Sequence, residues 1–275
     1  MKILKKILLA IPMLALFTNA YSYSRTFSAP TTSEYFWTKG LVNYKLDPNF
    51  TEYEKSIIKN SLNELASQVN ADVPYSSNSD IVKRLSFNDI DTGGTFIISF
   101  ECVKTNSCSR TDPSTWKPKG RVNEHIFYQH NYIYFKKTYS KGCNSDYVGM
   151  KGGEQVIQLS YNEPCIDRRV VLHETMHALG FHHEQQRYDH AQYIIINWDS
   201  IPKSWHDSNY KTLEAYSTRF GQYDYNSIMH YHSSTFSGYE KDDLTSINGN
   251  PILLNSNLST LDIEGLRKAY PIINH

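Results

Sequence analysis

His173-Glu174-Thr175-Met176-His177-Ala178-Leu179-Gly180-Phe181-His182-His183 is the stretch that decides how this 275-residue chain is read. On a helix each residue turns the chain by about 100°, so His173 and His177 lie one turn apart on one face and their imidazoles can reach one metal ion. Glu174 falls about 100° round from His173, close enough to hold a water on that metal without binding the metal itself. Leu172, Thr175, Met176 and Leu179 take the opposite side and give the helix a mostly apolar face for a core. His183 cannot join on a continuous helix, because ten residues carry it about 15 Å along the axis, while bonds from zinc to imidazole nitrogen are about 2.0–2.1 Å. The chain must turn back. Gly180 is where it can, since glycine tolerates the left-handed conformation that ends helices. Asp167 is placed to cap the start of this helix, predicted over about 168–179. His182 stands one residue early and reads as a flanking side chain, not a ligand.

Some forty residues on comes Ser227-Ile228-Met229-His230-Tyr231. Together with H-E-x-x-H-x-x-G-x-x-H it resembles the paired zinc motif and Met-turn of metzincins. The resemblance narrows further. Gly180-Phe181-His182-His183-Glu184-Gln185-Gln186-Arg187 matches the extension G-F-x-H-E-x-x-R of the astacin family of metzincin zinc metalloendopeptidases. Tyr35-Phe36-Trp37 with Val42-Asn43-Tyr44, Gly142-Cys143 with Tyr147-Val148-Gly149 and Gln155-Val156, and Leu258-Ser259-Thr260-Leu261-Asp262 resemble other parts of that family. The similarity covers most of residues 35–270, with a break between about 71 and 125.

The resemblance implies an α+β, metzincin (zincin-like) two-lobed catalytic domain. Its N-terminal lobe would hold a twisted β-sheet and two helices. Its C-terminal lobe would be mostly irregular with a terminal helix, the lobes dividing near Gly180 around a cleft with the metal on its floor. It implies one Zn2+ per chain on His173, His177 and His183, and hydrolysis of protein or peptide substrates by a metal-activated water with Glu174 as general base. By the same resemblance Tyr231 is an additional ligand that swings away when substrate binds and then donates to the oxyanion. Met229 reads as an apolar floor under the histidines. The alternative is a catalytically inactive zinc-binding adhesion or interaction module on a protease scaffold, but such a module typically loses the base or a ligand, and all four residues stand here.

Lys+Arg and Asp+Glu balance at 28 each, so nothing points to nucleic acid or an anionic membrane as partner. Lys2, Lys5 and Lys6 precede an apolar run from Ile7 to Phe17, too short to span a bilayer. With Thr18-Asn19-Ala20 as cleavage site, residues 1–20 read as a signal peptide, 21–34 as a short N-terminal segment and 35–275 as the catalytic domain. The chain is expected to be secreted and monomeric, without stable membrane insertion. Export permits disulfides, yet four cysteines leave three connectivities open, and four free thiols besides. The resemblance implies a Cys143–Cys165 bridge, which leaves Cys102 and Cys108 to close a small loop. Tyr21 to Glu34 contains no aspartate or glycine, so it cannot supply the zinc-locking Phe-x-Gly-Asp aspartate of many astacin proenzymes, and activity without removal of such a lock is expected. In the family a trimmed N-terminal amine lies near the residue matching Glu184. Here that amine would fall near Ser28, so either a cut occurs near Phe27 or Glu184 finds another partner.

Thr51 and Glu54 form a capping box that opens a helix to about Val69, with Tyr53, Ile57, Ile58, Leu62, Leu65 and Val69 at helical spacing. Phe96–Phe100, Ile133–Phe135, Val156–Leu159 and Tyr193–Ile196 read as strands. Ser259 and Asp262 pair to open a last helix over about 260–270. The polar stretch Val103–Gly120 reads as exposed loop, as does the Ser-, Asn- and Gly-rich stretch between Met229 and Ser259.

Overall fold

Thr51 accepts a hydrogen bond from the Glu54 amide while the Glu54 carboxylate accepts one from the Thr51 amide, so helix α1 begins at Glu52 and runs to Val69. Its inward stripe is Ile58, Leu62, Leu65 and Val69, each at most 1% exposed. Each such side chain contributes roughly 1.5–3 kcal/mol through burial. Tyr53 is 76% exposed, outside the stripe, because the first turn precedes the helix's contact with the core.

The computed structural model describes residues 24–26, 36–37, 40–73, 84–90, 98–102, 116–121, 131–213, 217–219, 221–235 and 242–271. In chain order the elements are β1 (Ser24–Thr26), β2 (Leu41–Leu46), α1, β3 (Ser86–Asp89), β4 (Ile98–Cys102), β5 (Trp116–Arg121), β6 (Tyr132–Thr138), β7 (Asn144–Ser145), β8 (Glu154–Ser160), α2 (Arg168–Ala178), β9 (Ile194–Ile196), a one-turn α3 (Lys203–Trp205), β10 (Ser217–Arg219), β11 (Leu244–Ser246) and α4 (Thr260–Ala269). Residues 1–20 and the Cys102–Cys108 pairing lie outside the described residues.

The main sheet has the order β3-β2-β6-β8-β7 and is parallel except for the edge strand β7, which runs antiparallel to β8. Alternation along the strands sends Ile133 and Phe135 of β6 and Gln155, Ile157 and Leu159 of β8 into the core. There they join α1, Leu172 and Met176 of α2, and Leu266 of α4. This is an α+β arrangement of mixed sheet and helices. A second, smaller core follows Gly180: Ile194, Ile201, Tyr210, Tyr223, Leu244 and Ile252.

Two stretches expected as loop contain strands. Trp116–Gly120 belongs to β5, which pairs antiparallel with β4. Its Pro118 fits because a two-stranded ribbon leaves an edge where a missing N–H costs little. Leu244–Ser246 forms β11 against β9, with Leu244 buried as the strand's one core residue. Three residues are too few for alternation to be visible in sequence. Ser24–Thr26 pairs with Ser217–Arg219.

Candidate active site

Asp167 caps α2 by accepting from the Arg169 amide. At the other end Gly180 takes φ +102°, the left-handed conformation. The Phe181 amide donates to Met176 O and the Gly180 amide to His177 O, the paired bonds of a Schellman stop. Distant residues satisfy the remaining helix-end carbonyls: the Trp37 indole donates to Ala178 O, the Tyr270 hydroxyl to Leu179 O and the Gly149 amide to His177 O. Gly149 O in turn accepts from the buried Gln155 amide of β8. The helix that carries the histidines is thus tied to the sheet, to Trp37 before β2 and to the end of α4.

The reversal at Gly180 brings His183 back. Its Nε2 lies 3.2 Å from Nε2 of His173 and 3.1 Å from Nε2 of His177. With metal–nitrogen bonds of about 2.05 Å, such separations correspond to ligand angles of about 100°, near tetrahedral. An all-imidazole donor set suits zinc, and the three rings form a group able to hold one metal ion. Two outer rings are fixed by carbonyls: Ile228 O accepts from Nδ1 of His173 at 2.8 Å and Phe181 O from Nδ1 of His177 at 2.7 Å. A proton on Nδ1 leaves the Nε2 lone pair for the metal. Burial lowers the pKa of all three, that of His177 to about 4, so each is neutral and ligand-ready near pH 7. His182 is not in the group. It lines the cleft as a neutral ring, its pKa lowered by burial to about 3.

Glu174 faces the same cleft and is buried. Its Oε2 accepts from the Ser145 amide of β7 at 2.7 Å. Burial pushes its pKa up to about 8, against the Ser145 amide and the Arg169 charge, which lower it. A metal cation alongside pulls the same way as Arg169.

The turn carrying Met229 is held by a residue read in sequence only as a helix cap. Asp262 closes the capping box of α4 with Ser259. Its carboxylate also accepts from the Ser227 hydroxyl at 2.6 Å and the Ile228 amide at 2.9 Å. Since Ile228 O orients His173, a continuous hydrogen-bonded path joins α4 to a candidate metal ligand. Met229 is buried, and its carbonyl accepts from the Glu184 amide. The Tyr231 ring lies 4.4 Å from that of His183, and its hydroxyl donates to Oδ1 of Asn209 at 2.8 Å. Gln185 bridges the same pair, accepting from the Tyr231 amide and donating to Asn209 O. Asn209 lies in a π turn, His206–Tyr210, a form common at functional sites. Nothing in the sequence marks it.

Glu184 has a side-chain partner. Arg187, 1% exposed, reaches Oε1 of Glu184 at 2.9 Å and both oxygens of Asp189 at 2.9 Å, and the Asp224 amide also donates to Glu184. Burial raises the Glu184 pKa to about 8 while Arg187 opposes it. A bidentate-capable cation at contact distance favours the ionised pair. Cys143 and Cys165 are joined in a disulfide across 22 residues, beside the cleft that Cys143 lines.

The cleft has a volume of about 830 Å³, and Ser145, His173, Glu174, His177, His183 and Tyr231 are among its lining residues. Among the described residues no helix is long and apolar enough to cross a membrane.

A family profile described as Astacin, a peptidase family, matches residues 99–271. Zinc metalloproteinase nas-8 of Caenorhabditis elegans is 33% identical over 206 residues, 74% of this chain and 45% of that protein. High choriolytic enzyme 1 of Oryzias latipes is 39% identical over 144 residues, 50% of this chain and 51% of that protein. The chain thus spans about half or less of the length of these relatives. The solved structure of High choriolytic enzyme 1, a hatching enzyme zinc-protease, superposes with a TM-score of 0.59 at 24% identity, covering 89% of this chain and 98% of that one, which shows a shared fold. The chain belongs to the astacin family of zinc metallopeptidases.

Proposed function

We propose that the chain is a secreted zinc-dependent endopeptidase acting on protein or peptide substrates, with Glu174 as general base. The observation that carries this reading is the meeting of three neutral imidazoles, with Nε2 of His183 3.2 Å from that of His173 and 3.1 Å from that of His177, beside one buried carboxylate in an open cleft. A zinc ion bound there supplies Lewis acidity and lowers the pKa of water towards about 7. Glu174, its Oε2 fixed by the Ser145 amide, takes a proton from the attacking water and delivers it to the leaving amine. The Tyr231 hydroxyl, released from Asn209, donates to the developing oxyanion. Tyr231 is also the candidate for an additional metal ligand. Met229 packs as an apolar support, and the Glu184–Arg187–Asp189 cluster braces the turn after His183. Residues 1–20 act as the signal peptide, 35–275 form the catalytic domain with lobes dividing near Gly180, and the working unit is a monomer. Glu174 and all three histidines are present, so no observation favours the non-catalytic binding module.

The test is hydrolysis of casein by purified protein, with and without a chelator. Activity abolished by chelation and restored by zinc is expected. Cleavage that survives complete removal of metal contradicts the proposal.

A further inference from the structure

The Cys143–Cys165 disulfide joins the two elements that meet at Glu174. On one side, Cys143 stands two residues before Ser145 of β7, whose amide donates to Oε2 of Glu174. On the other, Cys165 stands two residues before Asp167, the cap of α2, and α2 carries Glu174. The bridge therefore fixes the start of the donor's strand to the start of the acceptor's helix, with 5.5 Å between the two Cα atoms. One hydrogen bond crosses at the same place, from the Gly142 amide to Oε2 of Glu163. Past Ser145 the chain is held to β8 through Asp146, whose amide donates to Val156 O and whose carboxylate accepts from the Val156 amide. Between those anchors β7 pairs with β8 over two residues, Asn144 and Ser145, and so short a strand has little hold of its own. The two sulfurs are unequally reachable: Cys143 is half-buried and lines the cleft, while Cys165 is fully buried.

We propose that this disulfide is a redox switch on the position of Glu174. Oxidised, it holds the Ser145 amide against the carboxylate. Reduced, the protein stays folded, that hydrogen bond opens and turnover drops. This inference rests on the peptidase reading. The reductant is a dithiol. Its thiolate attacks Sγ of Cys143 from the cleft and forms a mixed disulfide, and the Cys165 sulfur leaves as a thiolate that takes up a proton. The reductant's second thiol, losing its proton, then attacks the mixed disulfide. Cys143 leaves as a thiol, and the reductant departs as its own disulfide. Reoxidation reverses the step. Without the bridge, the Gly142–Glu163 bond is the remaining tie on that flank of Ser145 among the bonds described above. Misplacing a reacting group by about 1 Å can cost about 10²-fold in rate.

The experiment compares the oxidised protein, the protein reduced with a phosphine (to keep added thiols away from the zinc), the double variant Cys143→Ser with Cys165→Ser, and Ser145→Pro. Each sample is checked for zinc content and, by thermal melt, for being folded at the assay temperature. Two quantities are read: kcat on a peptide, and hydrogen exchange at the Ser145 amide. In the reduced protein and the double variant, kcat should fall by about 10–100-fold with one zinc per chain retained. Exchange at Ser145 should quicken by about tenfold or more. Reoxidation of the reduced protein should restore both. Ser145→Pro removes the donor while leaving the bridge, and proline is tolerated on an edge strand where the N–H points away from the neighbouring strand. It should lose kcat to the same degree and no longer respond to the phosphine. A bridge that merely stabilised the fold would leave both readings unchanged in folded protein. If the oxidised wild type cuts no peptide, the peptidase reading fails while exchange at Ser145 still decides on the bridge. A folded, zinc-loaded reduced protein that keeps its kcat or its protection at Ser145, or a reduced protein that is unfolded at the assay temperature, overturns the proposal.

Discussion

Replacing Asp262 tests whether α4 positions the metal site. In Asp262→Ala the Ser227 hydroxyl and the Ile228 and Ser259 amides lose their acceptor. The hydroxyl can rotate, and Ser259 is half-buried, so water reaches it. Ile228 is fully buried, and its orphaned amide costs about 1–3 kcal/mol. Ser259 still caps α4 by accepting from the residue 262 amide, and losing the carboxylate from the first helical turn adds about 0.3–1 kcal/mol. The expected destabilisation is therefore about 1–4 kcal/mol, read from urea unfolding of the metal-free protein. Because Ile228 O orients His173, zinc affinity, measured by chelator competition, should fall by about 10–100-fold. Asp262→Asn keeps one oxygen for the two amides and offers its NH2 to Ser227 Oγ, so it should stay within about 1 kcal/mol. An Asp262→Ala protein as stable as Asp262→Asn, with wild-type zinc affinity, would refute the reasoning.

The same residue gives a pH signature: burial raises the Asp262 pKa from its ordinary 3.8 to about 6. The folded state therefore holds that proton more tightly, and this stability, fully present below pH 3.8, is lost as pH rises through about 6. Wild-type stability relative to Asp262→Asn should fall across that window, and a flat difference would count against it. Tyr231→Phe should lower kcat by removing the oxyanion donor, and adding Asn209→Ala to it should cost no more, because the Asn209 carboxamide is bonded to the hydroxyl already removed; a further loss of kcat in the double variant would separate their roles. Gly180→Ala should cost about 1–2 kcal/mol in thermal melts, all from the backbone at φ +102°, because an added Cβ would sit 3.6 Å from Phe36, an ordinary contact. Replacing Cys143 and Cys165 by Ser should remove about 3 kcal/mol for a loop of this size, and unreduced peptide mapping checks the pairing directly.

What could be read from sequence was local. The i, i+4 histidines, the stop at Gly180 and the two capping boxes need only a few neighbouring residues to be recognised, and their bounds in the structure lie within a residue or two of those read. The pairing of β3 with β2, the three-residue β11 and the β5 ribbon have no local signature, because their partners are set by the tertiary fold. The contacts around the site were hidden for the same reason. Asp262 reaches back 34 residues to Ile228, and Ser145 reaches Glu174 from a strand of two residues. Asn209 meets Tyr231 through a π turn that no spacing pattern announces. Arg187 stood inside the recognised motif, but its two carboxylate partners became visible only in three dimensions.

The most direct measurement is zinc content and peptidase rate of Glu174→Ala beside wild type. With His173, His177 and His183 intact, the variant should retain one zinc per chain while kcat falls by about 10²–10⁴-fold. Activity within about tenfold of wild type at full zinc occupancy, or loss of the zinc itself, would contradict the assignment of Glu174 as general base beside a three-histidine metal site.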